Sequence, residues 1–168
     1  MKKITLFLVA LTAPLFLQSC SNDDDSTNPN AAVEAISGTY KLISFTAPTP
    51  QDLNGDGTDS ENLIGESACY NDWQIVLKSD RSFTRVEKLV DVLDGTIICT
   101  EVSDMGTWDI QANKVKLTLL NGTELNSTYI YLDSNKSLTQ SRQAQFPTIF
   151  EEIFIMEDGA VNLIYVRQ

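Results

Sequence analysis

The densest set of hard oxygen ligands in the chain lies at residues 52–61, Asp-Leu-Asn-Gly-Asp-Gly-Thr-Asp-Ser-Glu. Asp52, Asn54 and Asp56, followed by Gly57, match the first, third, fifth and sixth positions of a calcium-binding loop, and Thr58 and Ser60 offer a carbonyl and a side-chain oxygen. Leu63 stands where such a loop needs its closing bidentate Glu, and the flanking segments read as strands rather than helices. Two readings therefore stand. One is a weak calcium site completed by Glu61 or Glu66 folding back. The other is a solvated turn in which the Asp and Asn side chains bond their own backbone.

Other chemistry is sparse. The chain contains no histidine, so it offers no Ser-His-Asp or Cys-His arrangement and no His-ligated zinc. Glu151 and Glu152 are adjacent, and on a strand they point to opposite faces, so they cannot share one substrate. Phosphate-loop, dinucleotide and nucleophile-elbow motifs do not occur. The expectation is a binding or structural protein, not an enzyme, with no cofactor beyond the calcium reading. A net charge of −11 without a basic cluster argues against nucleic acid. Trp73, Trp108, Tyr129 and Tyr131 could line a ligand cavity; Trp108, two residues after Gly106, reads rather as a core plug near a closed barrel end.

The elements that must position these residues are almost all strands. A short helix is predicted at 31–36, and strands at 40–45, 73–78, 83–92, 96–102, 106–110, 114–119, 124–132 and 137–143. Pro48 and Pro50 are expected to end the first strand. Segment 114–119 alternates strictly, with Val115, Leu117 and Leu119 on one face and Lys114, Lys116 and Thr118 on the other. Asp94-Gly95 signals a hairpin, and Asn121-Gly122 predicts a type I′ turn. A last pair, 149–156 and 161–166, is expected to be joined through Glu157-Asp158-Gly159. About nine short strands with hairpin turns make an all-β antiparallel barrel or sandwich; periodicity does not separate the two.

The opening Gly38-Thr39-Tyr40-Lys41-Leu42, then Cys69-Tyr70-Asn71-Asp72, Lys78-Ser79-Asp80-Arg81-Ser82-Phe83, Cys99 and Gly106-Thr107-Trp108-Asp109-Ile110 resemble, in order and spacing, the lipocalin-like lipoproteins of Bacteroidetes. The resemblance spans roughly residues 37–167. It implies a small antiparallel barrel of about eight to nine strands with an apolar cavity for a small ligand. Arg81 departs from it, because such a turn usually carries glycine.

The N-terminus is similar to a lipoprotein signal. Lys2 and Lys3 precede an apolar run at 4–17, and Leu17-Gln18-Ser19-Cys20 resembles a lipobox. The run is about 14 residues, too short to span a bilayer. By that resemblance residues 1–19 are cleaved, Cys20 carries the acyl chains that tether the protein, and residues 20–36 form an acidic linker ahead of a domain at 37–168. Asp23-Asp24-Asp25 resembles the export signal that sends such lipoproteins to the outer surface of the outer membrane. Loss of Lys2 and Lys3 takes the net charge from −11 to −13. With Cys20 acylated, Cys69 and Cys99 remain as an even pair in an oxidising compartment, where a disulfide is expected and two buried free thiols are the rival. The expected partners are the membrane through Cys20 and either a small hydrophobic ligand or an envelope protein, with the domain acting as a monomer.

Overall fold

The computed structural model describes residues 29–168; the signal segment, the lipobox with Cys20 and the acidic run lie outside the described residues. A helix, α1 (Pro29–Ile36), leads into nine strands: β1 (Gly38–Gln51), β2 (Ser60–Asn62), β3 (Gln74–Leu77), β4 (Ser82–Leu93), β5 (Thr96–Gln111), β6 (Lys114–Leu119), β7 (Glu124–Leu132), β8 (Ser137–Phe150) and β9 (Ile153–Arg167). Every pairing is antiparallel, in the order β2-β1-β3-β4-β5-β6-β7-β8-β9. Pairing of β1 with β9, from Tyr40 opposite Arg167 to Thr46 opposite Asn162, closes the sheet. The result is an eight-strand barrel with β2 added along the outer half of β1, which selects the barrel over the sandwich.

Closure fixes which side chains are interior. Along β6, Val115 and Leu117 are buried and Lys114 and Lys116 exposed, as the alternation predicts. Along β1 the buried set is Tyr40 and Leu42, then Phe45 and Ala47. A register shift between Leu42 and Ser44 accounts for the change of parity, because a bulge adds one residue and turns the following side chains to the opposite face. At the closed end α1 buries Val33 and Ile36, and the Tyr40 hydroxyl donates to the Ile36 carbonyl at 2.5 Å. Trp108 is buried there too, its indole N–H donating to the Lys78 carbonyl at 2.9 Å.

Several boundaries differ from the sequence reading. Pro48 and Pro50 lie inside β1, beyond the last β9 partner at Thr46, where a missing N–H breaks no ladder with that strand. Segments 96–102 and 106–110 are one strand, β5. Glu157-Asp158-Gly159 is not a turn but the middle of β9, and the hairpin turns instead at Glu151-Glu152, both at positive φ. The β8–β9 ladder runs unbroken from Ser137 opposite Val166 to Phe150 opposite Ile153, and this long pairing overrides the local turn signal. Gly159 is there for space: a Cβ on it would come within 2.9 Å of the Phe146 ring and of Pro48. At Asn121-Gly122 only the glycine has positive φ, and Leu119 accepts from Gly122 while donating to Thr123, so the loop is a longer bulged turn rather than type I′. Arg81 adopts φ +65° in the glycine-like position of its turn and pairs with Asp109.

Candidate functional site

The two long hairpins, β4–β5 and β8–β9, rise past the short strands at the end of the barrel opposite α1. β3 pairs with β4 only as far as Val86, and β7 with β8 only as far as Thr139, so the wall above that level consists of separate arms. The loop after β2 folds over this open end as a single 3₁₀ turn, Ala68–Tyr70. Cys69 is disulfide-bonded to Cys99 on β5, with 5.3 Å between their Cα atoms. The disulfide expectation is thus met, and the bond anchors the loop to an arm that would otherwise be free.

Fixing Cys69 sets an aromatic wall. The Trp73 indole N–H donates to the Cys69 carbonyl at 2.8 Å. Phe45, Tyr70 and Trp73 pack together, with centroids 4.4 Å apart for Phe45–Tyr70, 5.8 Å for Phe45–Trp73 and 5.7 Å for Tyr70–Trp73. Beside this wall lies a cavity of about 260 Å³. Leu89, Val90 and Ala144 complete its apolar lining, and Glu87, Lys88 and Arg142 supply its polar side. A larger concavity, about 820 Å³, is an open furrow that includes the outward-facing Lys114, Lys116, Thr128 and Ser141. It is less suited to holding a small molecule, because it removes little of a guest from water.

Beneath the cavity the barrel interior is charged. Arg85 and Glu87 are 7 % and 8 % exposed, on the same face of β4 as buried Phe83. Glu87 Oε1 accepts from the Tyr165 hydroxyl at 3.2 Å and lies 3.5 Å from Arg85 Nη1; its Oε2 accepts from Arg142 Nη2 at 3.3 Å. Asp104 Oδ2 accepts from Arg85 through Nε, at 3.2 Å, and through Nη2. Burial is the largest single influence on Arg85 and works against its charge, but Glu87, Tyr129 and Asp104 together outweigh it, so its pKa is held above the ordinary value. Burial, with Glu87 second, raises the pKa of both Tyr129 and Tyr165. Burial alone raises Tyr70. These phenols are therefore neutral donors at physiological pH.

Arg85 faces the Tyr129 hydroxyl and its Nη1 lies within ion-pair distance of Glu87, whereas Tyr70 OH and Arg142 Nε are buried without a hydrogen-bond partner. Buried polar atoms are rarely left so, since each costs about 1–3 kcal/mol.

The predicted calcium ligands are only partly brought together. Asp52 accepts from the Asp56 and Gly57 N–H groups at 3.0 and 2.8 Å, Asn54 Oδ1 from Asp56 N–H at 2.8 Å, and Asp56 Oδ1 from Thr58 N–H at 2.8 Å. Ser60 turns away to the Asn62 carbonyl, and Leu63 is buried. Glu66 accepts from Leu53 N–H. This is the arrangement of the Asx-turn reading. Among the described residues no group of three or more His, Cys, Asp or Glu could hold a metal ion. Glu151 and Glu152 sit in a hairpin turn, not on opposite faces of a strand as the sequence reading had them. Of the four aromatics singled out from sequence, Trp73 lines the cavity, whereas Trp108, Tyr129 and Tyr131 are buried elsewhere.

Sequence reasoning missed Arg85, Glu87, Asp104 and Arg142. The signal was present in β4: a period of two from the core aromatic Phe83 lands on Arg85 and Glu87, placing two charges inward. Comparison with curated proteins and with solved structures finds no match. Residues 36–139 match the family described as a lipocalin-like domain, which covers the barrel from the end of α1 into β8. With the closed antiparallel barrel described above, the chain belongs to the lipocalin-like domain family.

Proposed function

We propose that this protein is a lipid-anchored, surface-exposed outer-membrane lipoprotein whose barrel binds a small, largely apolar molecule at its open end. The observation that carries the binding role is the 260 Å³ cavity beside the Phe45–Tyr70–Trp73 wall. An apolar cavity of about 150 Å³ holds benzene, so this one takes a guest of roughly ten non-hydrogen atoms rather than a long-chain lipid. The anchor is read from Leu17-Gln18-Ser19-Cys20 and the outward export from Asp23-Asp24-Asp25. The position of α1 supports their combination. The chain enters at the closed end, so a tether on Cys20 leaves the cavity facing away from the bilayer.

Binding rather than turnover is favoured by chemistry. The histidine-free sequence lacks the usual general base, and the buried Glu87 and the partly exposed Asp104 are both held in ion pairs. Native mass spectrometry of the protein purified from its own membrane tests the reading. The expected result is an acylated chain that loses its lipid mass in Cys20→Ser and carries a substoichiometric small adduct. An unacylated chain refutes the anchor, and displacement-insensitive Trp73 fluorescence with every small apolar probe refutes the binding role.

A second reading, docking of an envelope protein, is favoured by exposed Leu89, Leu93, Ile149, Phe150 and Ile153 on the two arms. It calls for a stoichiometric partner in a crosslinked envelope fraction, lost when Phe150 and Ile153 are made polar.

A further inference from the structure

We propose that the two arms at the open end form a docking site for a basic, partly apolar polypeptide, held between their inner faces. The inference rests on the docking reading given above and adds the geometry of the site and the chemical class of the partner.

The first feature is an uncovered apolar face on each arm. Along β4, Leu89 and Leu93 keep the parity of Phe83, Arg85 and Glu87, which are buried in the barrel. Across the ladder Ile98 stands opposite Asp91, on that same face of the sheet. Along β8, Phe150 keeps the parity of Leu138 and Phe146, both fully buried, and stands opposite Ile153; Ile155 stands opposite Thr148. The face that lines the interior lower down thus continues up both arms, past the short strands. There it is open to solvent: Leu89, Leu93, Ile98, Phe150, Ile153 and Ile155 are between 37 % and 61 % exposed. Both arms flank the cavity, β4 through residues 87–90 and β8 through Arg142, Ala144 and Gln145, so the two faces overlook one mouth. An exposed apolar surface rimmed by polar residues marks a contact site.

The second feature is charge, and it selects the partner. Beyond Lys88 and Arg142 the arms, residues 89–100 and 143–160, carry no Lys or Arg. They carry Asp91, Asp94, Glu151, Glu152, Glu157 and Asp158, all exposed and, among the described residues, in no ion pair. Asp91 and Glu157 lie on the apolar faces themselves, opposite Ile98 and Phe146. A second copy docked here would set its own carboxylates against these, and an anionic bilayer would be repelled in the same way. A polypeptide with Lys or Arg beside apolar side chains fits. Its apolar groups cover Leu93, Phe150 and Ile153, and its cations face the carboxylates of the rim, which steer its approach.

The test uses the full-length acylated protein in phosphatidylcholine nanodiscs, with empty nanodiscs as the reference. The probes are three soluble peptides of equal length, built from Leu with Lys, Leu with Glu, and Ser with Lys. The Leu/Lys peptide is expected to bind above the reference, and at least about tenfold more tightly than either of the others. Phe150→Ser with Ile153→Ser should weaken it by a similar factor. Glu157→Lys should weaken it at least about threefold, whereas Glu34→Lys, the same change of charge on α1 at the closed end, should leave it unchanged. Tight binding of the Leu/Glu peptide overturns the inference and leaves the arms as an apolar docking surface. Equal binding of Ser/Lys and Leu/Lys, or equal weakening by Glu157→Lys and Glu34→Lys, also overturns it, because attraction is then general to an acidic protein. So does a dimer, or flotation with phosphatidylglycerol-containing vesicles, that is lost in Phe150→Ser with Ile153→Ser, since the occupant is then a second copy or a membrane. If no peptide binds above empty nanodiscs, the docking reading fails and this inference with it. Should the double variant not fold, the ranking of the three peptides on wild type and the two charge variants still decide.

Discussion

Glu87 is the residue on which the interior charges converge, and its removal is the sharpest perturbation of this barrel. Its two oxygens serve Tyr165, Arg85 and Arg142 at 3.2 to 3.5 Å. At an effective dielectric of about 20, each contact with an arginine is worth roughly 5 kcal/mol of gross attraction, most of it offset by desolvation. Breaking a buried pair by deleting one partner costs about 3–5 kcal/mol, because the other charge stays buried and unpaired. Here the lower end applies. Arg85 keeps Asp104, and the Arg142 side chain is 22 % exposed and can take up water through the cavity. For a domain of roughly 140 residues, with an unfolding entropy of about 2.1 cal/mol/K per residue, a loss of ~3 kcal/mol lowers Tm by about 10 °C. Circular dichroism melts of wild type, Glu87→Leu, Arg142→Met and the double variant measure this directly. The double variant is expected to recover part of the loss, since no lone charge remains between those two positions. A Glu87→Leu melt within about 2 °C of wild type would show that the network contributes less than ~1 kcal/mol and would refute the reasoning.

Other outcomes follow from the same structure. Opening the Cys69–Cys99 bond frees a loop closed over 30 residues, and the chain-entropy estimate gives about 3–4 kcal/mol, a Tm drop near ~12 °C. Melts with and without reductant check it, and no drop would mean that the bond does not constrain the unfolded chain. All five tyrosines have raised pKa values, burial being the leading cause for each. The folded state thus binds more protons than the unfolded one above about pH 10, so stability is intact below that pH and falls as pH rises. Phenolate absorbance is expected to appear together with unfolding rather than near pH 10, and an early titration of most tyrosines would count against the burial described. Gly106→Ala should destabilise the barrel strongly, because its Cβ would lie 1.9 Å from the Thr118 carbonyl oxygen, a backbone atom; an unchanged melt would contradict the β5–β6 approach. Asp56→Ala should weaken the loop at 52–59 equally in calcium and in chelator, whereas stabilisation by calcium that Asp56→Ala abolishes would assign a cation there.

Much of the barrel was legible because hairpin turns and period-two alternation are local signals. Segment 114–119 showed its inner face directly, and Asp94-Gly95 turned where it was expected to, both residues at positive φ. Failures came where long-range pairing outweighs local preference. The β8–β9 ladder carries Pro147 and Gly159 through its middle and turns at two glutamates, which no turn propensity favours. The site was harder to read than the fold. Reading Arg85 and Glu87 as interior requires keeping the parity of Phe83 through two charges, and their partners Asp104 and Arg142 are 19 and 55 residues further along. The cavity itself depends on the Cys69–Cys99 bond drawing a loop over an open end, a closure that alternation patterns do not encode.

The central claim is that the open end of the barrel takes a small apolar guest against Trp73. Ala144 lines that cavity and is half-buried, so Ala144→Leu fills part of the space while adding only apolar atoms. The decisive measurement is a nonane titration followed by Trp73 fluorescence in Trp108→Phe protein, with and without Ala144→Leu. The account expects saturable binding at one site that Ala144→Leu weakens at least about tenfold, equivalent to ~1.4 kcal/mol, with the fold intact. Binding unaffected by Ala144→Leu, or no saturable change at Trp73 at all, would contradict it.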